Sequence, residues 1–186
     1  DGKTVDYIVA TDPGGGYDTN GRLVAEFMQK YLPGSTFVVR NMPGAGGIIG
    51  ANYIYASKPD GLTLGTFNTG LIYGQLVENP ALKFNLSQID WIGKVASDPR
   101  VIVVTTASGI ESFEDLRRQE GRIKFATCGV GCASMVESTL LVATFGLPVD
   151  VISGYNGNEG QLAMMRGEVQ GTLGSRSEFE SFVAEG

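Results

Sequence analysis

The stretch Val5-Asp6-Tyr7-Ile8-Val9-Ala10-Thr11, followed by Pro13-Gly14-Gly15-Gly16-Tyr17-Asp18 and a helix-length segment to Tyr31, decides the fold. An apolar run of strand length that feeds a glycine turn and then a 3.6-residue apolar period is the local signature of a β-α unit. The helix is expected from about Thr19 to Tyr31, with Leu23, Val24, Phe27, Met28 and Tyr31 on one face. Residues 37–40 form the next strand, Asn41-Met42-Pro43-Gly44-Ala45-Gly46-Gly47 the next glycine loop, and 48–56 the next helix. A third unit follows, with a strand at 62–67, the turn Asn68-Thr69-Gly70 and a helical stretch to Leu76. Successive β-α units of this kind build a mostly parallel sheet flanked by helices.

Working outward, residues 90–95 and 101–105 read as strands on either side of the polar string Ala96-Ser97-Asp98-Pro99-Arg100, the expected crossing into a second lobe. The expected domains are therefore 1–97 and 98–186. Ser112 with Asp115 three positions later opens a capped helix. A strand at 123–126 leads into Thr127-Cys128-Gly129-Val130-Gly131-Cys132-Ala133-Ser134 and a helix to Phe145. A strand at 149–153 then meets Gly154-Tyr155-Asn156-Gly157-Asn158, the start of another helix. The tail at 178–186 reads as helix with no further strand. The expectation is a two-lobed α/β fold in which the second lobe repeats the logic of the first.

Composition narrows the function. The chain has 186 residues, a formal charge of −6 and no His. A net acidic chain lacks the clustered Lys and Arg that a phosphate backbone demands, so nucleic acid is set aside as a partner. The absence of His removes the usual general base, zinc ligand and triad member, and neither a metal site nor a cofactor is expected. No apolar run reaches membrane-spanning length, and the chain opens on Asp1-Gly2-Lys3-Thr4 without a basic-then-apolar signal segment.

What remains is the set of glycine turns. In a parallel sheet the turns after the strands gather at one edge, where helix N-termini present free N–H groups and partial positive charge. Glycine lets those amides approach a ligand closely. Any one loop alone fits an ordinary tight turn; three together point to a cradle for a carboxylate or phosphate. The candidate ligand-binding residues are Gly14, Gly15, Gly16, Tyr17, Asp18, Gly44, Ala45, Gly46, Asn68, Thr69, Thr127, Gly129, Gly131 and Tyr155. Asp18 and Arg22, four apart, fit an ion pair bracing the first loop, and Asp18 also fits an N-cap or a water-mediated ligand contact. Tyr17 and Tyr155 fit either cleft walls or packing on their own lobes.

Two other chemistries fit the residues less well. Gly44-Ala45-Gly46-Gly47-Ile48-Ile49-Gly50 departs from the dinucleotide spacing, and no acidic residue ends a strand about 20 positions later to hold a ribose. Cys132 falls near a helix N-terminus but has no His partner for nucleophilic work; with Cys128 it fits either a small disulfide or two packed thiols. The alternative to binding is an α/β enzyme, a phosphoryl or acyl transferase with Asp18 as base, which requires a strongly perturbed carboxylate at the site.

Taken in order, Pro13-Gly14-Gly15-Gly16-Tyr17-Asp18 with Arg22, Asn41 to Gly47 followed by Ile49-Gly50-Ala51, Lys58-Pro59-Asp60-Gly61, the 127–134 loop, Gly154-Tyr155-Asn156-Gly157 and Met165-Arg166-Gly167-Glu168-Val169 resemble the tripartite tricarboxylate transporter substrate-binding proteins, also called Bug or TctC-like proteins. The resemblance runs nearly end to end. It implies a periplasmic, Venus-flytrap, type II-like binding protein, not an enzyme, that closes about the 96–100 crossing over a small carboxylate. The carboxylate would be a di- or tricarboxylate or an aromatic acid. It further implies a monomer that hands its ligand to membrane permease subunits. Two departures accompany it: the family's second-lobe loop commonly carries serines where Cys128 and Cys132 stand, and the family continues for roughly another hundred residues that return to the first lobe. The expectation is thus a C-terminally truncated relative whose signal peptide is absent.

Overall fold

The computed structural model describes residues 2–185, and the chain divides into two compact units, Asp1–Ser97 and Asp98–Gly186. The first is built on a three-stranded parallel sheet of order β2-β1-β3, from β1 (Thr4–Val9), β2 (Thr36–Asn41) and β3 (Thr63–Thr66). Helix α1 (Gly16–Tyr31) joins β1 to β2, and α2 (Ile48–Ala56) joins β2 to β3 after a 3-10 turn at Ala45–Gly47; α3 (Gly70–Leu76) follows β3.

Alternation along β1 distributes the helices. Tyr7 and Val9 point to the α1 side and pack with Ala25, Val24 and Met28, whereas Ala10 meets α2 at Gly50. Both contacts are close enough to require glycine: a Cβ on Gly21 would fall 2.8 Å from Val9 Cγ2, and one on Gly50 would fall 2.7 Å from Ala10 Cβ. This corrects the expected face of α1. Its buried residues are Asp18, Gly21 and Ala25, and Leu23, Phe27 and Tyr31 are exposed. A helix that lies so near the sheet places small residues inward, with Val24 and Met28 packed beside them and the other three outside.

The second unit has a four-stranded sheet of order β4-β7-β5-β6, from β4 (Arg100–Val104), β5 (Ile123–Thr127), β6 (Val149–Ser153) and β7 (Gly171–Ser175). Strand β5 is parallel to both β6 and β7, and β4 runs antiparallel to β7. The helices are α4 (Phe113–Arg118), α5 (Ala133–Phe145), α6 (Glu159–Met165) and α7 (Arg176–Glu185). Ser112 Oγ accepts the Asp115 N–H at 3.1 Å, the capped start that the sequence announces. The core holds Leu116, Ile123, Phe125, Leu147 and Val149 on one side and Ala126, Ala163, Met164 and Val169 on the other.

Two expectations fail. Strand β7 is not foreseen, because Gly171 and Gly174 lower its strand signal; both are small of necessity, since a Cβ at Gly171 would lie 2.6 Å from the Phe125 ring and one at Gly174 2.6 Å from the Phe179 ring. Residues 90–95 form no strand. Trp91 packs edge-on against Phe67 at 5.4 Å and donates Nε1 to Leu86 O at 3.0 Å, while Ile92 is exposed. The expected tail helix is α7; Asp1 and Gly186 lie outside the described residues. No helix among the described residues is long and apolar enough to cross a membrane.

Candidate functional site

The first unit brings three candidate loops to the carboxyl edge of its sheet. Gly15 is the N-cap of α1 in extended conformation, and no side chain caps that end. The first N–H groups of a helix have no partner within it, so those of Gly16 and Tyr17 face outward. Beside them the 44–47 loop runs entirely through positive φ: Gly44 at 121°, Ala45 at 48°, Gly46 at 65° and Gly47 at 94°. The Gly47 N–H closes on Gly44 O at 3.0 Å, but those of Ala45 and Gly46 meet no backbone acceptor among the described residues. Such a tight turn is the kind of loop in which backbone N–H groups are left for an anion. A Cβ on Gly47 would lie 3.2 Å from Ala10 O and 3.5 Å from Asn68 Cβ, so this loop lies close to the third.

Asn68 is 4% exposed. Its Oδ1 accepts the Gly70 N–H at 2.7 Å and so starts α3, and its Nδ2 has no acceptor among the described residues. Thr69 is tied to the first loop through Tyr17, whose hydroxyl lies 3.3 Å from Thr69 Oγ1 and 3.4 Å from Thr69 N. Tyr17 thus bridges the first and third loops, as well as packing on its own unit beside Tyr7 and Val9.

Asp18 lies behind the loop. Its Oδ2 accepts the Gly14 N–H and Arg22 Nε–H, each at 3.0 Å, and its Oδ1 accepts Asn41 Nδ2–H at 2.8 Å. Asn41 also donates to Thr11 O and accepts Arg22 Nη2–H. Burial pushes the Asp18 carboxyl pKa up, but the donations from Arg22, Gly14 and Asn41 and the charge of Arg22 outweigh it, so the net shift is downward. A carboxylate held ionised with both oxygens engaged is a brace for the loop. With both oxygens taken by donors, it has no free lone pair aimed at a substrate proton, which a transferase base needs. Asn41 is the residue sequence reasoning missed; its place at the end of a strand, before a glycine loop, is the only local sign of it. Thr11 Oγ1, buried and unpartnered, was missed as well.

In the second unit the loop between β5 and α5 is closed by a disulfide between Cys128 and Cys132, with Cα atoms 6.1 Å apart. The bond resolves the open choice between disulfide and thiols. Its ring is short, so loop closure contributes only about 2 kcal/mol and its effect is local. Cys132 is the N-cap of α5, where no side chain caps the N–H groups of the first turn. Ser134 Oγ accepts the Cys128 N–H at 3.3 Å and lies 2.9 Å from Cys128 Sγ. Gly131 turns at φ 84°. Thr127 and Gly129 serve the loop's own structure: Thr127 is buried and its hydroxyl donates to Ile152 O at 3.2 Å, and the Gly129 N–H donates to Asn156 Oδ1 at 3.3 Å. Tyr155 packs against the cluster of Ala126, Ala163, Met164 and Val169, and its N–H donates to Thr127 O. Among the described residues no three His, Cys, Asp or Glu side chains gather as metal ligands.

The model of the tripartite tricarboxylate transporter family receptor matches residues 21–186. A UPF0065 protein from the TAR-I ttuE-ttuC' intergenic region of Agrobacterium vitis is 31% identical over 153 residues, which is 80% of this chain and 44% of the relative. The periplasmic binding protein BugD has a solved structure that superposes with a TM-score of 0.78 at 21% identity, covering 98% of this chain and 62% of that one. MatC from Rhodopseudomonas palustris, solved with bound malate, gives a TM-score of 0.75 at 22% identity over 93% of this chain and 60% of that one. The chain spans about half the length of the curated relatives it matches. With the family model covering all but the first 20 residues, the chain belongs to the tripartite tricarboxylate transporter receptor family.

Proposed function

We propose that this chain is the ligand-holding part of an extracytoplasmic solute-binding protein that captures a small carboxylate without chemical change. One observation carries the reading: the amides of Ala45 and Gly46 and the uncapped start of α1 at Gly16 and Tyr17 offer several donors at one sheet edge with no acceptor among the described residues. Such donors suit a compact anion, because helix-end and loop-amide dipoles act over a few ångströms while the chain's net charge of −6 acts only at longer range. Asn68, a residue only 4% exposed whose Oδ1 is taken by the Gly70 N–H, adds its Nδ2 as a neutral donor beside them. The malate bound by MatC supports a dicarboxylate as the ligand class. Family membership supports delivery to membrane permease subunits.

A thermal-shift panel tests this, since a ligand that binds only the folded state raises the midpoint. Malate and other di- and tricarboxylates, aromatic acids, sugar phosphates and nucleotides are each added in excess. A rise confined to carboxylates supports the reading; a rise with nucleotides alone overturns it in favour of transfer chemistry.

A further inference from the structure

We infer that Asn156 is a self-modifying residue: in the folded protein it closes on the Gly157 amide, sheds ammonia and becomes aspartyl or isoaspartyl, which resets its hold on Gly129. The chain has two Asn-Gly pairs, Asn20-Gly21 and Asn156-Gly157. Succinimide closure is sterically easiest at such pairs, because glycine places no Cβ beside the attacking nitrogen. The fold treats the two oppositely. Asn20 lies within α1, where its Nδ2–H donates to Gly16 O at 2.9 Å and Gly21 is buried against Val9. Asn156 lies between β6 and α6, outside both elements. Gly157 is exposed at φ 54°, and its N–H has no acceptor among the described residues, so the nucleophile is not held elsewhere. The turn around it is pinned, with Asn156 N–H donating to Glu159 Oε2 at 2.9 Å and Glu159 N–H to Asn156 O at 3.0 Å. The Gly129 N–H donates to Asn156 Oδ1 at 3.3 Å, which polarises the side-chain carbonyl and stands where negative charge forms on attack.

The reaction balances with water alone, and no ligand takes part. The Gly157 nitrogen gives its proton to a solvent hydroxide and bonds to Asn156 Cγ; the Cγ–Nδ2 bond breaks, and Nδ2 leaves with a solvent proton as ammonia. Water then opens the succinimide. Addition at Cγ restores the main chain and leaves an aspartyl side chain. Addition at the main-chain carbonyl carbon routes the chain through Cβ and Cγ as an isoaspartyl link. The products differ at Gly129. An aspartyl carboxylate keeps an acceptor for the Gly129 N–H and makes the bond charge-assisted. An isoaspartyl link lengthens the backbone by a methylene and draws the accepting carbonyl into the main chain, away from Gly129.

Peptide mapping by mass spectrometry tests this during incubation of the purified protein at neutral and alkaline pH, both folded and in denaturant. In the folded protein Asn156 should convert at least about tenfold faster than Asn20, whose helix must open first. In denaturant the two rates should converge, because only the shared Asn-Gly sequence remains. Conversion should quicken as pH rises, since the amide nitrogen attacks deprotonated. An Asn156 that stays intact in the folded protein, or converts there no faster than Asn20, overturns the proposal. Hydrogen exchange of the Gly129 amide in the chromatographically separated forms checks the consequence. The aspartyl form should protect that amide at least as well as the parent, and the isoaspartyl form at least about tenfold less. Equal exchange in the parent and both products overturns the reset at Gly129.

Discussion

Asn41, the last residue of β2, donates its Nδ2–H to Asp18 Oδ1 at 2.8 Å, and through this contact the second strand fixes the shape of the first glycine loop. The same carboxylate holds Gly14 and Arg22, so one buried side chain ties together the loop, the helix after it and the neighbouring strand. Asp18→Ala should lower stability by about 1–3 kcal/mol, because it strands the Gly14 and Asn41 donors while Arg22 is half exposed and recovers water. Thermal unfolding checks the magnitude.

The pH dependence of that loss has a definite sign. The folded pKa of Asp18 lies below its ordinary 3.8, so its contribution is complete above the unfolded value and disappears as pH falls through the folded one. The gap in midpoint between the parent protein and Asp18→Ala should be constant near neutrality and close in strong acid. A gap that persists below both pKa values would assign the loss to packing.

Glu178, in the first turn of α7, behaves in the opposite way. Burial raises its pKa above the ordinary 4.5, only partly offset by the Ser175 N–H and the charge of Arg100, while Asp98 and Glu137 push it further up. Its folded form therefore favours the proton; the stability it contributes is complete below the unfolded value and is lost as pH rises through the folded one. Glu178→Gln, which keeps an acceptor for Ser175, should have a higher midpoint than the parent at pH 7 and an equal one near pH 4. Equal midpoints at both would contradict this.

Gly50 sits inside α2, where alanine is ordinarily the better helix former by about 1 kcal/mol. Here a Cβ would lie 2.8 Å from Met42 O and 2.9 Å from Ala10 Cα, both backbone atoms that cannot yield. Gly50→Ala should thus destabilise the chain by about 1–3 kcal/mol, and a denaturant titration with unchanged slope would confirm it.

These examples also mark where the sequence was legible. The β-α units and their glycine loops could be read because each depends on a few neighbouring residues: an apolar run, a turn and a helical period. The capped start at Ser112 is local in the same sense. The Asp18–Asn41 contact spans 23 positions, and nothing near either residue announces the other. Strand β7 was hidden because its glycines are chosen by the Phe125 and Phe179 rings packed on them, not by strand propensity. The inward face of α1 was misjudged for a related reason: close approach to β1 selects Gly21 and Ala25, and hydrophobicity alone points to Leu23, Phe27 and Tyr31. At the site, the glycines of the first unit lie in the turns after their strands, and Thr127 and Gly129 are engaged in their loop's own hydrogen bonds.

The central claim is that backbone amides at the start of α1 hold an anion, and calorimetric titration of malate into the parent protein and Gly15→Val tests it most directly. Gly15 has φ −87° and ψ 173°, an extended conformation open to valine, so the fold should survive while the branched side chain covers the amides of Gly16 and Tyr17. A loss of affinity of about tenfold or more, with an unchanged unfolding midpoint in the absence of malate, is the predicted result. Equal affinity in the two proteins would contradict the cradle.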